Sequence, residues 1–126
     1  MRYAFAFLAF AALGAAAAAM AQHSHSHAAK GPNGGRMQDV AGVHAELLTA
    51  GSTVTINVFD EANKPLDAKG YTASALVVAG ANRETVVLAP SGGNALKGEA
   101  KAPIASGAAI TLVLKTAAGK SGQVKF

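Results

Sequence analysis

Ser52 to Phe59 reads STVTINVF. Val54, Ile56 and Val58 fall on one side of an extended chain, and Thr53, Thr55 and Asn57 fall on the other. Strict alternation carried by β-branched residues marks a half-buried strand, whereas a helix would space its apolar residues by about 3.6. Upstream, Gly42 to Leu48 (GVHAELL) alternates in the same way, and Ala50-Gly51-Ser52 between the two runs has the composition of a tight hairpin. Downstream the pattern repeats at Tyr71 to Val78 (YTASALVV), Glu84 to Ala89 (ETVVLA), Ala95 to Glu99 (ALKGE), Ala109 to Lys115 (AITLVLK) and Gly122 to Phe126. Turn formers separate these runs. They are Asp60 to Asp67 (DEANKPLD), Gly80-Ala81-Asn82, Pro90-Ser91-Gly92-Gly93-Asn94 and Ala117-Ala118-Gly119-Lys120. The Ala-rich stretch from Lys101 to Ala109 contains Pro103 and Gly107, which oppose a helix interior. About seven short strands with regular turns predict an all-β fold, an immunoglobulin-like antiparallel β-sandwich over residues 42–126. Its core is expected to be light, because Phe59, Tyr71 and Phe126 are the only aromatics beyond the first 21 residues.

The chain begins MRYAFAFLAFAALGAAAAAMAQ. Arg2 supplies a positive start, Ala4 to Ala19 an apolar stretch, and Ala19-Met20-Ala21 the small residues of a cleavage site. That layout predicts a secretory signal over residues 1–21 and a periplasmic or secreted protein. A membrane anchor would need about 20 strongly apolar residues and a basic stop. Here the stretch is Ala-dominated and is followed by Gln-His-Ser-His, so no span is expected after cleavage. The absence of Cys excludes a disulfide scaffold, a thiolate zinc site, an iron–sulfur cluster, a cysteine nucleophile and a lipid-modified Cys. Of the eleven Lys and Arg, one is Arg2; the rest are scattered singly against seven Asp and Glu. A nucleic-acid surface would cluster them on one face, so none is expected.

Residues 22–35 have no apolar periodicity and include the turn cluster KGPNGG, which predicts a flexible arm, taken as residues 22–41, ahead of the folded domain. The arm carries the clearest chemical signal, His23-Ser24-His25-Ser26-His27. Neutral imidazole suits Cu2+, Zn2+, Ni2+ and Co2+, and alternating His can gather several rings around one ion. Coordination needs the unprotonated ring, so binding is expected to weaken as pH falls through about 6.5. A bland reading, a polar leader with incidental His, stands beside it. His44 and Glu46 lie two apart on one strand and therefore on one face. They are either further ligands or an exposed polar face opposite Val43, Ala45 and Leu47. Asp60, Glu61 and Asn63 cluster, but Ala62 and Pro65 break the alternation of a Ca2+ loop. Met37 is the one Met beyond the leader, so a Met-rich Cu(I) site is not expected.

Enzyme templates fail: the chain has no Gly-rich phosphate loop, no nucleophile elbow and no zinc-protease helix motif, and no catalytic residue is expected.

Gly31 to Leu47 (GPNGGRMQDVAGVHAEL) resembles the segment that opens a small β-domain in periplasmic adaptor proteins of heavy-metal efflux pumps. Val54 to Val78 (VTINVFDEANKPLDAKGYTASALVV) resembles the core of small periplasmic immunoglobulin-like domains, several of them linked to copper handling. The resemblance implies an exported accessory domain in transition-metal homeostasis or efflux, with a metal-handling protein as partner. The chain has no helical hairpin of the adaptors. The alternative is an immunoglobulin-like interaction module with no metal role, binding partners by strand addition.

Overall fold

The computed structural model describes residues 29–126. The expected signal and His23, His25 and His27 lie outside the described residues. The all-β expectation holds. Among the described residues eight strands form: β1 (Arg36–Val40), β2 (Val43–Ala50), β3 (Thr53–Phe59), β4 (Thr72–Ala79), β5 (Asn82–Gly92), β6 (Ala95–Glu99), β7 (Ala109–Lys115) and β8 (Ser121–Lys125). Every pairing is antiparallel. The order is β1-β2-β3-β6-β5-β4-β7-β8 in one sheet that curls into a nearly barrel-shaped body. The pairings form two halves, β1-β2-β3-β6 and β4-β7-β8, which β5 joins into one continuous order. β5 makes the continuity: it pairs with β4 up to Leu88 and with β6 from Ala89, turning the corner at a register shift between Pro90 and Gly92. At the far end, a methyl group on Gly122 would lie 2.9 Å from the Ala41 backbone nitrogen, so β8 comes up against the β1–β2 turn.

The alternation read from the sequence sets which side faces in. Val54, Ile56 and Val58 of β3 are fully buried, with Leu96 of β6 and Ile110, Leu112 and Leu114 of β7. Ala45 and Leu47 of β2 join them. Burying a Val, Leu or Ile side chain contributes about 1.5–3 kcal/mol. The light aromatic content is thus offset by β-branched and Leu side chains that fill the curled sheet.

The first strand lies inside the segment expected as an arm. Arg36, Gln38 and Val40 share the inward side of β1, and only Val40 is buried there, so the run carries no apolar alternation. It is held by register instead, pairing Met37 with Glu46 and Asp39 with His44. The β1–β2 hairpin turns through Ala41 (φ 52°) and Gly42 (φ 81°), the two left-handed residues of a type I′ turn. The connection after β3 closes on Asp60, whose Oδ1 accepts the backbone N–H groups of Ala62 at 2.8 Å and Lys64 at 2.9 Å. That is an Asx turn, which uses up the carboxylate locally.

Candidate functional site

The outward face of β1, β2 and β3 carries polar residues together with Met37 and the buried Phe59. Directly opposed residues point to the same side of an antiparallel sheet. One row is therefore Asp39, His44 and Phe59, and the next is Met37, Glu46 and Asn57. His44 and Glu46 share this face, as their spacing requires, yet each has a different partner.

His44 is half-buried, and its Nδ1 meets Oδ1 of Asp39 across the hairpin. A carboxylate can only accept, so Nδ1 carries the proton. In the neutral ring the lone pair then lies on Nε2. A carboxylate hydrogen-bonded to one ring nitrogen is the arrangement that orients the ring of a metal-ligating His.

Glu46 is completely buried although it faces away from the core. The turn Gly31–Gly35 folds back over the sheet and covers it. Glu46 Oε2 accepts the backbone N–H of Asn33 at 2.8 Å and of Gly35 at 3.0 Å. Oε1 accepts Asn33 Nδ2 at 2.7 Å and Asn57 Nδ2 at 3.5 Å. Burial is the largest single influence on this carboxyl and opposes ionisation. The donors of the Asn33 side chain, the Asn33 and Gly35 backbones and Asn57 together outweigh it, holding the pKa below the ordinary value. Two backbone N–H groups of one turn, those of Asn33 and Gly35, converge on one oxygen and make an anion-binding concavity, here filled by the chain's own carboxylate. Four donors occupy the four lone-pair positions, leaving none for an ion while the turn is in place. Glu46, expected as a possible metal ligand beside His44, is thereby engaged as a structural acceptor.

The turn is built for this contact. A Cβ at Gly31 would collide with Glu46 Oε2, and one at Gly35 would collide with the Leu47 carbonyl oxygen. Gly31 N donates to Gly35 O at 2.7 Å and Gly34 N to Gly31 O at 2.9 Å, closing the turn on itself. Its incoming end is fixed as well: Lys30 bridges to Arg36, and Met37 N donates to Ala29 O at 3.0 Å. The root of the His segment therefore sits beside Met37, two residues along β1 from Asp39.

Asp39 lies about 7 Å along the strand from Met37. Among the described residues, no group of three or more His, Cys, Asp or Glu gathers to hold a metal ion. His44 is the one imidazole among those residues, oriented by Asp39.

Asp39, Asn33 and Asn57 had no part in the sequence reading of this site. Asp39 could have been found: a two-residue turn at Ala41-Gly42 forces Asp39 opposite His44. Away from this face, a cavity of about 400 Å³ opens between the β4–β5 turn and the segment after β6, lined by Val77, Ala79, Glu84, Pro103 and Ile104. Its carboxylate, Glu84, accepts Lys101 N at 2.7 Å.

No family model matches the chain, and the comparisons with curated proteins and solved structures found no match.

Proposed function

We propose that this is an exported metal-binding accessory protein, acting in transition-metal homeostasis or efflux in the periplasm or outside the cell. His23, His25 and His27 capture a Cu2+, Zn2+, Ni2+ or Co2+ ion, and His44 Nε2 completes the coordination from the folded body. The observation that carries this reading is the Asp39–His44 pair beside the root of the His segment. A ligand set gains affinity when one member is already fixed, because less freedom is lost on binding. The resemblance of Gly31–Leu47 to the β-domain of heavy-metal efflux adaptors points to a metal-handling partner. No catalytic role is assigned.

The test is calorimetric titration of the chain from Gln22 with each of the four ions. Two variants run beside it, one with His23, His25 and His27 all changed to Ala, the other His44→Ala. A single submicromolar site, abolished in the first variant and weakened at least tenfold in the second, supports the reading. Equal weak heats from all three proteins would end it. One observation favours the second reading, an interaction module. On the opposite half of the sheet Val87 is 75% exposed and Val113 44% exposed, both facing outward. Those two side chains would then carry a protein contact with no ion involved.

A further inference from the structure

We infer that the outward face of β5, β4, β7 and β8 is a docking trough for an extended segment of a partner protein, apolar in its middle and acidic at both ends. This rests on the protein contact to which Val87 and Val113 point, and gives that contact its chemistry. It involves no histidine, so it stands or falls apart from the metal reading.

The register lays out the face. Ala73, Ala75 and Val77 of β4 are buried, so Thr72, Ser74, Leu76 and Val78 point outward. Val87, Ser74, Val113 and Gln123 form one row across the strands, and Thr85, Leu76, Thr111 and Lys125 form the next. Arg83, Val78 and Ala109 follow toward the β4–β5 turn, and Thr72 lies beside Lys115 at the other end. Val87 and Val113 flank the small Ser74 and are 75% and 44% exposed. An exposed apolar pair of this kind marks an interaction surface. Two hollows open along β4. One, of about 250 Å³, is lined by Thr72, Ser74, Val113 and Lys115. The other, of about 360 Å³, has Leu76, Val78, Arg83, Lys125 and Phe126 in its lining. From Thr72 to Val78 the trough spans about 20 Å of extended chain.

Charge decides what fits. Lys115 lines the first hollow, Arg83 and Lys125 line the second, and no Asp or Glu lines either. The four strands contain one carboxylate, Glu84, which is paired in register with the inward Val77 and accepts Lys101 N. Glu99 on the neighbouring β6 accepts the hydroxyls of Ser52 and Thr53. Among the described residues the one ion pair is Asp39–His44, so all three cations keep their charge unpaired there. Acids at both ends of a bound segment complement them, and apolar side chains between fill the floor. A second copy of the chain would set cation against cation. A lipid surface favours Trp and Tyr at its rim, and these strands have neither.

The test is NMR of the nitrogen-labelled chain from Gln22 with a synthetic peptide of about eight residues, enough to span the trough. The peptide has paired Glu at each end and alternating Val and Thr between; a second peptide has Lys in place of Glu. Three proteins are compared: the wild type, Val113→Ser, and a charge-reversed chain carrying Arg83→Glu, Lys115→Glu and Lys125→Glu. The spectrum of each establishes folding.

In the wild type the Glu-ended peptide should move the amides of Thr72 to Val78 and Thr111 to Lys115, and added salt should weaken it. The Lys-ended peptide should move none of them. Charge reversal should swap the preference, weakening the Glu-ended peptide at least about tenfold and admitting the Lys-ended one. General damage to the fold cannot produce that swap. Val113→Ser should weaken binding without swapping it. Equal binding of both peptides, weakened by Val113→Ser, would keep the protein contact and overturn the acidic partner. No binding of either peptide, or shifts confined to other strands, would remove both. Two other occupants would also overturn the inference. One is a lipid surface, if phosphatidylglycerol vesicles broaden the trough amides and the peptides do not. The other is a second copy, if the chain alone dimerises through this face. Cu2+ affinity should be the same in the wild type and the charge-reversed chain, and peptide binding by a chain that takes up no Cu2+ would remove the metal reading and keep the trough.

Discussion

Changing Glu46 to Gln keeps the shape of the buried side chain and removes its charge. Of the four donors around the carboxylate, Asn33 Nδ2 and Asn57 Nδ2 belong to amides that can flip and offer oxygen to the new amide nitrogen. The backbone N–H groups of Asn33 and Gly35 cannot flip, so the Gln oxygen must stay where Oε2 was. Both backbone bonds survive but lose their charge assistance. A hydrogen bond to a charged group contributes about 1.5–3 kcal/mol against about 0.5–1.5 kcal/mol for a neutral one. The difference for two bonds is about 2–3 kcal/mol. With a urea dependence on the order of 1.5 kcal/mol per molar, the unfolding midpoint should fall by about 1.5 M. Urea titration at pH 7 measures this, and NMR of the Asn33 and Gly35 amides, which should move upfield as their bonds weaken, localises it. A loss below about 0.5 kcal/mol, with those two resonances unmoved, would refute the claim that a charged carboxylate holds the turn.

Other perturbations have definite signs. Ala41→Asn places the preferred Asn-Gly pair in a type I′ turn where Ala41 now sits at φ 52°, and should stabilise by about 0.5–1 kcal/mol, read as a rise in melting temperature. Leu112→Ala empties a fully buried position in β7 and should cost about 2–5 kcal/mol by the same urea assay. The Glu46 pKa lies below its unfolded value near 4.5, so its contribution is fully present above that pH and is lost as pH falls through the lower folded value. Between pH 5 and pH 3 the wild type should therefore lose more stability than Glu46→Gln, and parallel losses would contradict the assignment.

Seven of the eight strands were legible as alternating runs, within one to three residues at most ends. The exceptions have physical causes. β1 carries one buried apolar residue, Val40, so alternation could not reveal it; cross-strand pairing holds it. Its turn is Ala41-Gly42, where Asn-Gly or Asp-Gly would have announced the hairpin. Pro90-Ser91-Gly92 has the composition of a turn, yet the chain stays extended through a bulge, because β5 has to pass from one half of the sheet to the other. Glu46 shows a deeper limit. Alternation correctly turns it away from the core, and outward ordinarily means exposed. Its burial comes from a turn folding back over the sheet, which no periodicity within β2 encodes. The pairing of Asp39 with His44 follows from that same unseen hairpin.

The corner in β5 also decides where this chain can be opened. Its first half closes one set of hydrogen bonds with β4 and its second half another set with β6, so a break between Pro90 and Gly92 strands two half-length edges at once. New termini made by circular permutation, or an inserted tag, should be rejected there. Gly80-Ala81, a two-residue exposed turn joining strands that pair along their whole shared length, interrupts no ladder and should accept both.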